Sequence, residues 1–237
     1  MSGTLYLIPS ALGETTWTSY LPPDTRDIAC QLRMFVAENA KTARAELKRL
    51  GYPLPLREIA IEQLPERLGD DDIERLLSPL LAGHDVGLMS EAGCPAVADP
   101  GARLVRRAHV LGVTVRPLVG PSSLLLALMA SGLDGQRFAF HGYLPVREPE
   151  RSRRITELEK ESARQRQTQI FIEAPYRNGT MLAALLAACQ PATRLCVAVD
   201  LTLPTQSVTS RKIGEWRRQA PPEIDRRPVV FLLLSGD

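Results

Sequence analysis

The chain has 237 residues, 44% of them apolar, enough for one large domain or two modest ones around a real core. Its 29 basic and 27 acidic residues leave a formal charge of +2, so no global basic field argues for nucleic acid, while a local patch stays open. The beginning lacks the pattern of a signal peptide, and the longest apolar runs, 124–130 and 229–234, are too short to span a bilayer. Four cysteines (Cys30, Cys94, Cys189, Cys196) stand far apart with no Cys-x-x-Cys pair. That spacing argues against a metal centre or a disulfide framework and makes a reducing cytoplasm the expected location.

The predicted elements alternate. Residues 4–8 form a short apolar strand that runs into Pro9 and a turn at Gly13, and 34–37 form a second. Asn39 caps a helix that ends at Gly51, with Ala43, Leu47 and Leu50 at helical spacing. Asp70, Asp71 and Asp72 open another helix, where carboxylates favour the positive end of the dipole, and Ile73, Leu76, Leu77 and Leu80 form its apolar face. A strand at 86–89, a helix at about 101–111 with Gly112 as its C-cap, and a strand at 113–119 follow. Such alternation predicts a mostly parallel sheet covered on both faces.

The second half begins with a helix from Pro121 to Gly132 that is nearly all apolar and is therefore expected to be buried on every side. Strands are predicted at 138–141, 170–173, 195–199 and 229–234. The mixed charges of 150–166 read as a solvated helix, and Met181, Leu182, Leu185, Leu186 and Cys189 form the packed side of a helix at 176–189. The domains are placed at 1–118 and 119–237. There is no Gly-x-Gly-x-x-Gly after the first strand, no Gly-x-x-x-x-Gly-Lys-Ser/Thr, no Gly-x-Ser-x-Gly and no His-Glu-x-x-His. Nicotinamide, P-loop, hydrolase and metalloprotease readings fall back.

Two glycine-proline turns remain, each between a strand and a helix: Ser90-Glu91-Ala92-Gly93-Cys94-Pro95, followed by Asp99-Pro100-Gly101, and Val119-Gly120-Pro121-Ser122-Ser123. In open α/β sheets, ligands bind at the carboxyl ends of strands. Gly93 and Gly120 let backbone groups approach a ligand closely. The hydroxyls of Ser122 and Ser123, with the amides of the helix that follows, suit a carboxylate. On this reading a bulky residue at Gly120 removes ligand binding and leaves the fold largely intact. Glu173 ends a buried strand, where a charge needs a partner; Arg177 is either that partner or a substrate-binding group. Cys94 has no histidine partner in view and reads as a small packing residue.

Taken in order, Leu5-Tyr6-Leu7-Ile8-Pro9, the two turns, residues 138–144 and Phe171-Ile172-Glu173-Ala174-Pro175-Tyr176-Arg177 resemble the tetrapyrrole-methylase superfamily of S-adenosylmethionine-dependent methyltransferases. Within it the chain is similar to the branch that methylates the 2'-O of cytidine ribose in small-subunit ribosomal RNA. The resemblance implies a two-domain α/β fold, with a mostly parallel N-terminal sheet on the substrate side and a mixed C-terminal sheet. It also implies a homodimer, with S-adenosylmethionine in an interdomain cleft. The implied cofactor-binding residues are Ser90, Glu91, Ala92, Gly93, Pro95, Gly120, Pro121, Ser122, Ser123, Glu173, Pro175 and Arg177.

A ribose hydroxyl needs a base or a polarising charge, and Glu91 and Glu38 are the candidate catalytic carboxylates. The branch reads Glu-Asp-Thr-Arg where this chain has Glu38-Asn39-Ala40-Lys41, and Glu-Leu-Thr-Lys where it has Asp200-Leu201-Thr202-Leu203. Three readings therefore stay open: methylation of ribosomal RNA, methylation of a small molecule such as a tetrapyrrole, and cofactor binding without methyl transfer. No metal is expected, and no membrane partner.

Overall fold

A computed structural model describes residues 2–236. The chain divides into two compact units, Met1–Ser122 and Ser123–Asp237. The first contains β1 (Thr4–Ile8), α1 (Pro23–Gln31), β2 (Met34–Ala37), α2 (Ala40–Arg49), β3 (Ala60–Gln63), α3 (Asp70–Leu81), β4 (Val86–Met89), α4 (Gly101–Val110) and β5 (Thr114–Pro117). Its five strands are all parallel, in the order β3-β2-β4-β1-β5. The chain leaves β2 toward β3 on one side and leaves β4 toward β5 on the other. The carboxyl ends of β2 and β4 therefore flank a topological switch point, where such sheets open a crevice.

Local chemistry explains most of these boundaries. The Asn39 side chain accepts from the N–H groups of Lys41 (2.9 Å) and Thr42 (3.2 Å), so α2 starts there. Asp72 accepts from Gly69 N–H at 3.1 Å, which caps α3. Ile73, Leu76, Leu77 and Leu80 are buried as the helical spacing predicts. Gly112 has a φ of +69°, the left-handed conformation that closes α4.

The second unit contains α5 (Ser123–Ser131), β6 (Phe138–Tyr143), α6 (Glu150–Gln165), β7 (Thr168–Ile172), α7 (Asn178–Ala188), β8 (Arg194–Val199), β9 (Ser207–Lys212), α8 (Ile213–Trp216) and β10 (Val229–Leu234). Its sheet runs β6-β7-β10-β8-β9. β6 and β7 are parallel, whereas β10 is antiparallel to both β7 and β8, and β9 is antiparallel to β8. The sheet is thus mixed, as expected. Its core gathers Ile155 and Leu158 of α6 and Met181, Leu182 and Leu185 of α7 around the stacked rings of Phe171 and Phe231, 5.7 Å apart. The carboxyl ends of β6, β7 and β8 lie together at one end of this sheet.

Several elements differ from the sequence reading. α1, β3, β9 and the one-turn α8 are additional. α1 starts at Pro23, a residue that suits a first helical position but reads as a turn. β3 and β9 are edge strands, partly exposed and polar, so no apolar run marks them. β5 is shorter than the 113–119 run, and the helix placed at Pro121 begins at Ser123. That helix is apolar all round, yet only Ala127, Leu128 and Ser131 are buried; Leu125 and Met129 are exposed, at 51% and 80%. Uniform hydrophobicity therefore does not mean burial on every side here. No helix among the described residues is long and apolar enough to cross a membrane.

Candidate functional site

In the first unit, three loops at the carboxyl ends of strands are tied together. Ser10, two residues beyond β1, and Gly93, four beyond β4, exchange backbone hydrogen bonds of 2.9 and 3.1 Å. The Ser10 hydroxyl also donates to the Ser90 carbonyl at 3.0 Å. Gly93 has a φ of +73°, a left-handed conformation that favours glycine. The Cys94 thiol lies 3.3 Å from the Pro121 carbonyl and links this turn to the segment after β5. Burial raises the Cys94 pKa, which keeps the thiol protonated near neutral pH and matches a packing role.

Gly120 has a different reason to be glycine. A Cβ there would lie 2.3 Å from the Pro9 Cβ and 2.5 Å from its Cγ, so close packing on Pro9 excludes a side chain. The expectation that a bulky residue at Gly120 leaves the fold intact is therefore corrected. The hydroxyls of Ser122 and Ser123 make no hydrogen bond among the described residues and are free to donate.

Glu38 and Glu91 meet at the switch point. The Glu38 N–H donates to the Met89 carbonyl at 3.2 Å, and the Glu91 N–H donates to Glu38 Oε2 at 3.3 Å. Burial lifts the Glu38 pKa, and the neighbouring charges of Asp99 and Glu91 add to the rise against the opposing Glu91 N–H. The Glu91 side chain is exposed. Asp99 accepts from Ala96 N–H at 2.9 and 3.0 Å and from Gly101 N–H at 2.7 Å. It thereby closes a loop in which Ala96 and Ala98 both have positive φ, +66° and +62°. The Asp-Pro-Gly triplet marks this turn in the sequence, but nothing in the sequence marks the carboxylate as its clamp.

In the second unit, Glu173 follows β7 and is buried. Its Oε1 accepts from Ala174 N–H (2.7 Å) and from Arg177 Nε (2.9 Å) and Nη2 (2.5 Å), while Oε2 has no partner among the described residues. Arg177 is thus the partner of Glu173. Its guanidinium also stacks on Tyr176, 5.1 Å from the ring centroid. Tyr176 is 70% exposed, and Pro175 is exposed beside it.

At the same end of the sheet, Asp200 follows β8 with a φ of +48°. It accepts from Thr205 Oγ1 at 2.7 Å and from Arg227 Nε at 2.8 Å. Arg227 reads in the sequence as part of a surface basic pair, and only the fold shows its carboxylate partner. Gln206 Oε1 accepts from Thr202 N–H at 2.8 Å.

Residues 20–216 match the family model of tetrapyrrole (corrin/porphyrin) methylases. The chain belongs to that family. As a member of the tetrapyrrole methylases it is a methyltransferase, and relatives similar over most of this chain agree. The ribosomal RNA small subunit methyltransferase I of Xylella fastidiosa (strain Temecula1) is 32% identical over 98% of this chain and 81% of its own length. The protein of the same name from Pseudomonas aeruginosa is 31% identical over 90% of this chain and 72% of its own. Among solved structures, the methyltransferase CobJ superposes with a TM-score of 0.64 at 19% identity, covering all of this chain and 95% of CobJ. Uroporphyrin-III-C-methyltransferase from Thermus thermophilus gives 0.57 at 15% identity, covering all of this chain and 94% of that one. These last two similarities concern the fold.

Proposed function

We propose that the chain transfers a methyl group from S-adenosylmethionine to a ribose 2'-hydroxyl of small-subunit ribosomal RNA. The observation that carries this reading is the stitching of the loops after β1, β4 and β5 through Ser10–Gly93, Cys94–Pro121 and Gly120–Pro9. It brings together Ser90, Gly93, Pro95 and Pro121, which are buried, with half-buried Gly120 and with Glu91 and Ala92, which are exposed. The names of the relatives, at about one-third identity over nearly the whole chain, supply the RNA class.

The residues present fit the cofactor. A carboxylate needs donors, and the hydroxyls of Ser122 and Ser123 are uncommitted. An amine needs an acceptor, and Glu173 Oε2 is buried without one. We assign Glu173, Pro175 and Arg177 to cofactor binding in the second unit on this ground. The cofactor supplies a methyl group on a sulfonium, already activated, so the protein needs no covalent intermediate. The chain's task is to hold donor and acceptor in line and to take a proton from the hydroxyl. Glu38 suits proton removal because burial raises its pKa toward the working pH. Glu91 holds Glu38 through its backbone N–H and offers a second, exposed carboxylate.

A second copy of the chain is the proposed partner. The exposed Leu125 and Met129 of α5 and Phe138 and Tyr143 of β6 support a homodimer, which sedimentation velocity measures directly.

The test is a radiolabelled-methyl assay with small ribosomal subunits, free ribosomal RNA and a tetrapyrrole as separate acceptors. The proposal expects label in RNA, lost when the 2'-hydroxyl is already methylated. Label in the tetrapyrrole alone makes the chain a small-molecule methylase, and label in no acceptor despite cofactor binding makes it a binding protein.

A further inference from the structure

Glu46 lies in the middle of α2 and is 2% exposed. A carboxylate is costly to bury, and this one is held by three donors. It accepts from the Ala11 N–H at 3.2 Å, from the Tyr20 hydroxyl and from the Arg49 guanidinium. Ala11 and Tyr20 stand at opposite ends of the segment that leads from β1 to α1, so one side chain pins both ends of residues 11–20.

The position of that segment matters because of its neighbours. Ser10, directly before Ala11, forms the two-way backbone pairing with Gly93. Leu12, directly after it, has its Cδ2 3.4 Å from where a Cβ on Gly93 would stand. The anchor on α2 is therefore one residue away from both contacts that fix the Gly93 turn. Stability alone does not require a charge here, since well-packed apolar groups usually replace a buried ion pair at little cost. What the carboxylate adds is direction, because it accepts from a backbone N–H, a phenol and a guanidinium at once. Burial and the bond to Glu46 raise the Tyr20 pKa far above its usual range, so the phenol remains a donor.

We propose that Glu46 is a positioning residue for the cofactor turn: by anchoring Ala11 and Tyr20 it holds Ser10 and Leu12 against Gly93. This rests on the reading of that turn as the cofactor site.

The test uses the full chain with Glu46→Leu, Glu46→Gln and Tyr20→Phe. Calorimetry with S-adenosylmethionine is run well below each variant's melting temperature, where the folded population is complete. Amide exchange at Ser10 and Gly93 is followed by NMR without cofactor. The loss of a hydrogen bond to a charged group predicts about tenfold weaker affinity and about tenfold faster Gly93 exchange in Glu46→Leu. Tyr20→Phe, which keeps the Ala11 bond, is expected to show a smaller shift in the same direction. Unchanged affinity and unchanged exchange in folded variants overturn the proposal and make Glu46 a purely structural residue. If the wild type binds no S-adenosylmethionine, the cofactor reading fails, and exchange at Gly93 alone decides whether Glu46 positions the turn. If Glu46→Leu does not fold, Glu46→Gln and Tyr20→Phe carry the same comparison.

Discussion

Ser10 and Gly93 pair through backbone hydrogen bonds of 2.9 and 3.1 Å, although they are 83 positions apart in a sheet whose other pairings within the first unit are all parallel. The pairing joins the ends of two strands into one corner, with Gly93 at a φ of +73°.

Two glycine substitutions therefore separate two physical roles. In Gly93→Ala the new Cβ finds ordinary van der Waals room, with the Leu12 Cδ2 at 3.4 Å, so its cost is backbone strain of about 1–2 kcal/mol. In Gly120→Ala the Cβ meets Pro9 at 2.3 Å and forces a backbone shift, an overpacking cost of about 1–3 kcal/mol. Each variant is expected to melt lower by about 2–4 °C per kcal/mol lost. Calorimetry on the folded proteins should show weakened S-adenosylmethionine binding in both. Unchanged melting in Gly120→Ala would refute the packing role.

Arg177→Ala leaves the Glu173 carboxylate buried, with Oε1 retaining only the Ala174 N–H. Removing one member of a buried ion pair is strongly destabilising, because the remaining charge is left uncompensated. The 24% exposure of the Arg177 side chain tempers that loss. Glu173→Gln combined with Arg177→Ala should recover much of the loss, because no unpaired charge remains. Chemical denaturation of the two single variants and the double variant measures this coupling. Additive losses would show that the pair is not coupled.

Much of the architecture was legible because local signals agreed with global ones. Asn39 as a cap, the 73–76–77–80 stripe and the short apolar β4 all specify the same parallel sheet. β3 and β9 escaped because edge strands need no apolar run, and α1 because Pro23 punctuates a chain equally well as a turn or as a helix start. At the candidate site, the order of the turns was readable, whereas the reasons were not. Gly120 looks like a ligand-facing residue and is needed for Pro9. The Glu46–Ala11 contact spans 35 positions and has no motif. Long-range hydrogen bonds from single side chains leave no periodicity in a sequence.

RNA binding carries a charge signature. Residues 1–122 hold 13 basic and 15 acidic residues, whereas 123–237 hold 16 and 12, so the second unit is the cationic one. Lys212 is exposed at the end of the edge strand β9 and has no ion pair among the described residues. Binding to small-subunit RNA should weaken steeply with salt, the logarithmic slope reporting roughly the number of phosphates engaged. Lys212→Glu is expected to reduce both affinity and slope. Filter binding between about 50 and 200 mM salt tests this, and a salt-independent affinity would rule out phosphate contacts as its source.

Glu38 yields a pH prediction whose sign follows from its surroundings. Burial first, then the charges of Asp99 and Glu91, raise its folded-state pKa above the ordinary 4.5. The folded protein thus holds the proton more tightly than the unfolded chain. The contribution to stability is fully present below pH 4.5 and is lost as pH rises through the folded value. Glu38→Gln removes this titration, so the variant should gain on the wild type as pH rises above 4.5, with a melting difference that widens until the raised folded value is passed. A difference that stays flat over that interval would show that Glu38 is not desolvated. The same substitution separates structure from chemistry. If Glu38 is the base, Glu38→Gln keeps S-adenosylmethionine affinity while kcat falls by about 100-fold or more. Wild-type activity should then climb with pH and level off above the raised pKa, because only the ionised carboxylate can take the proton.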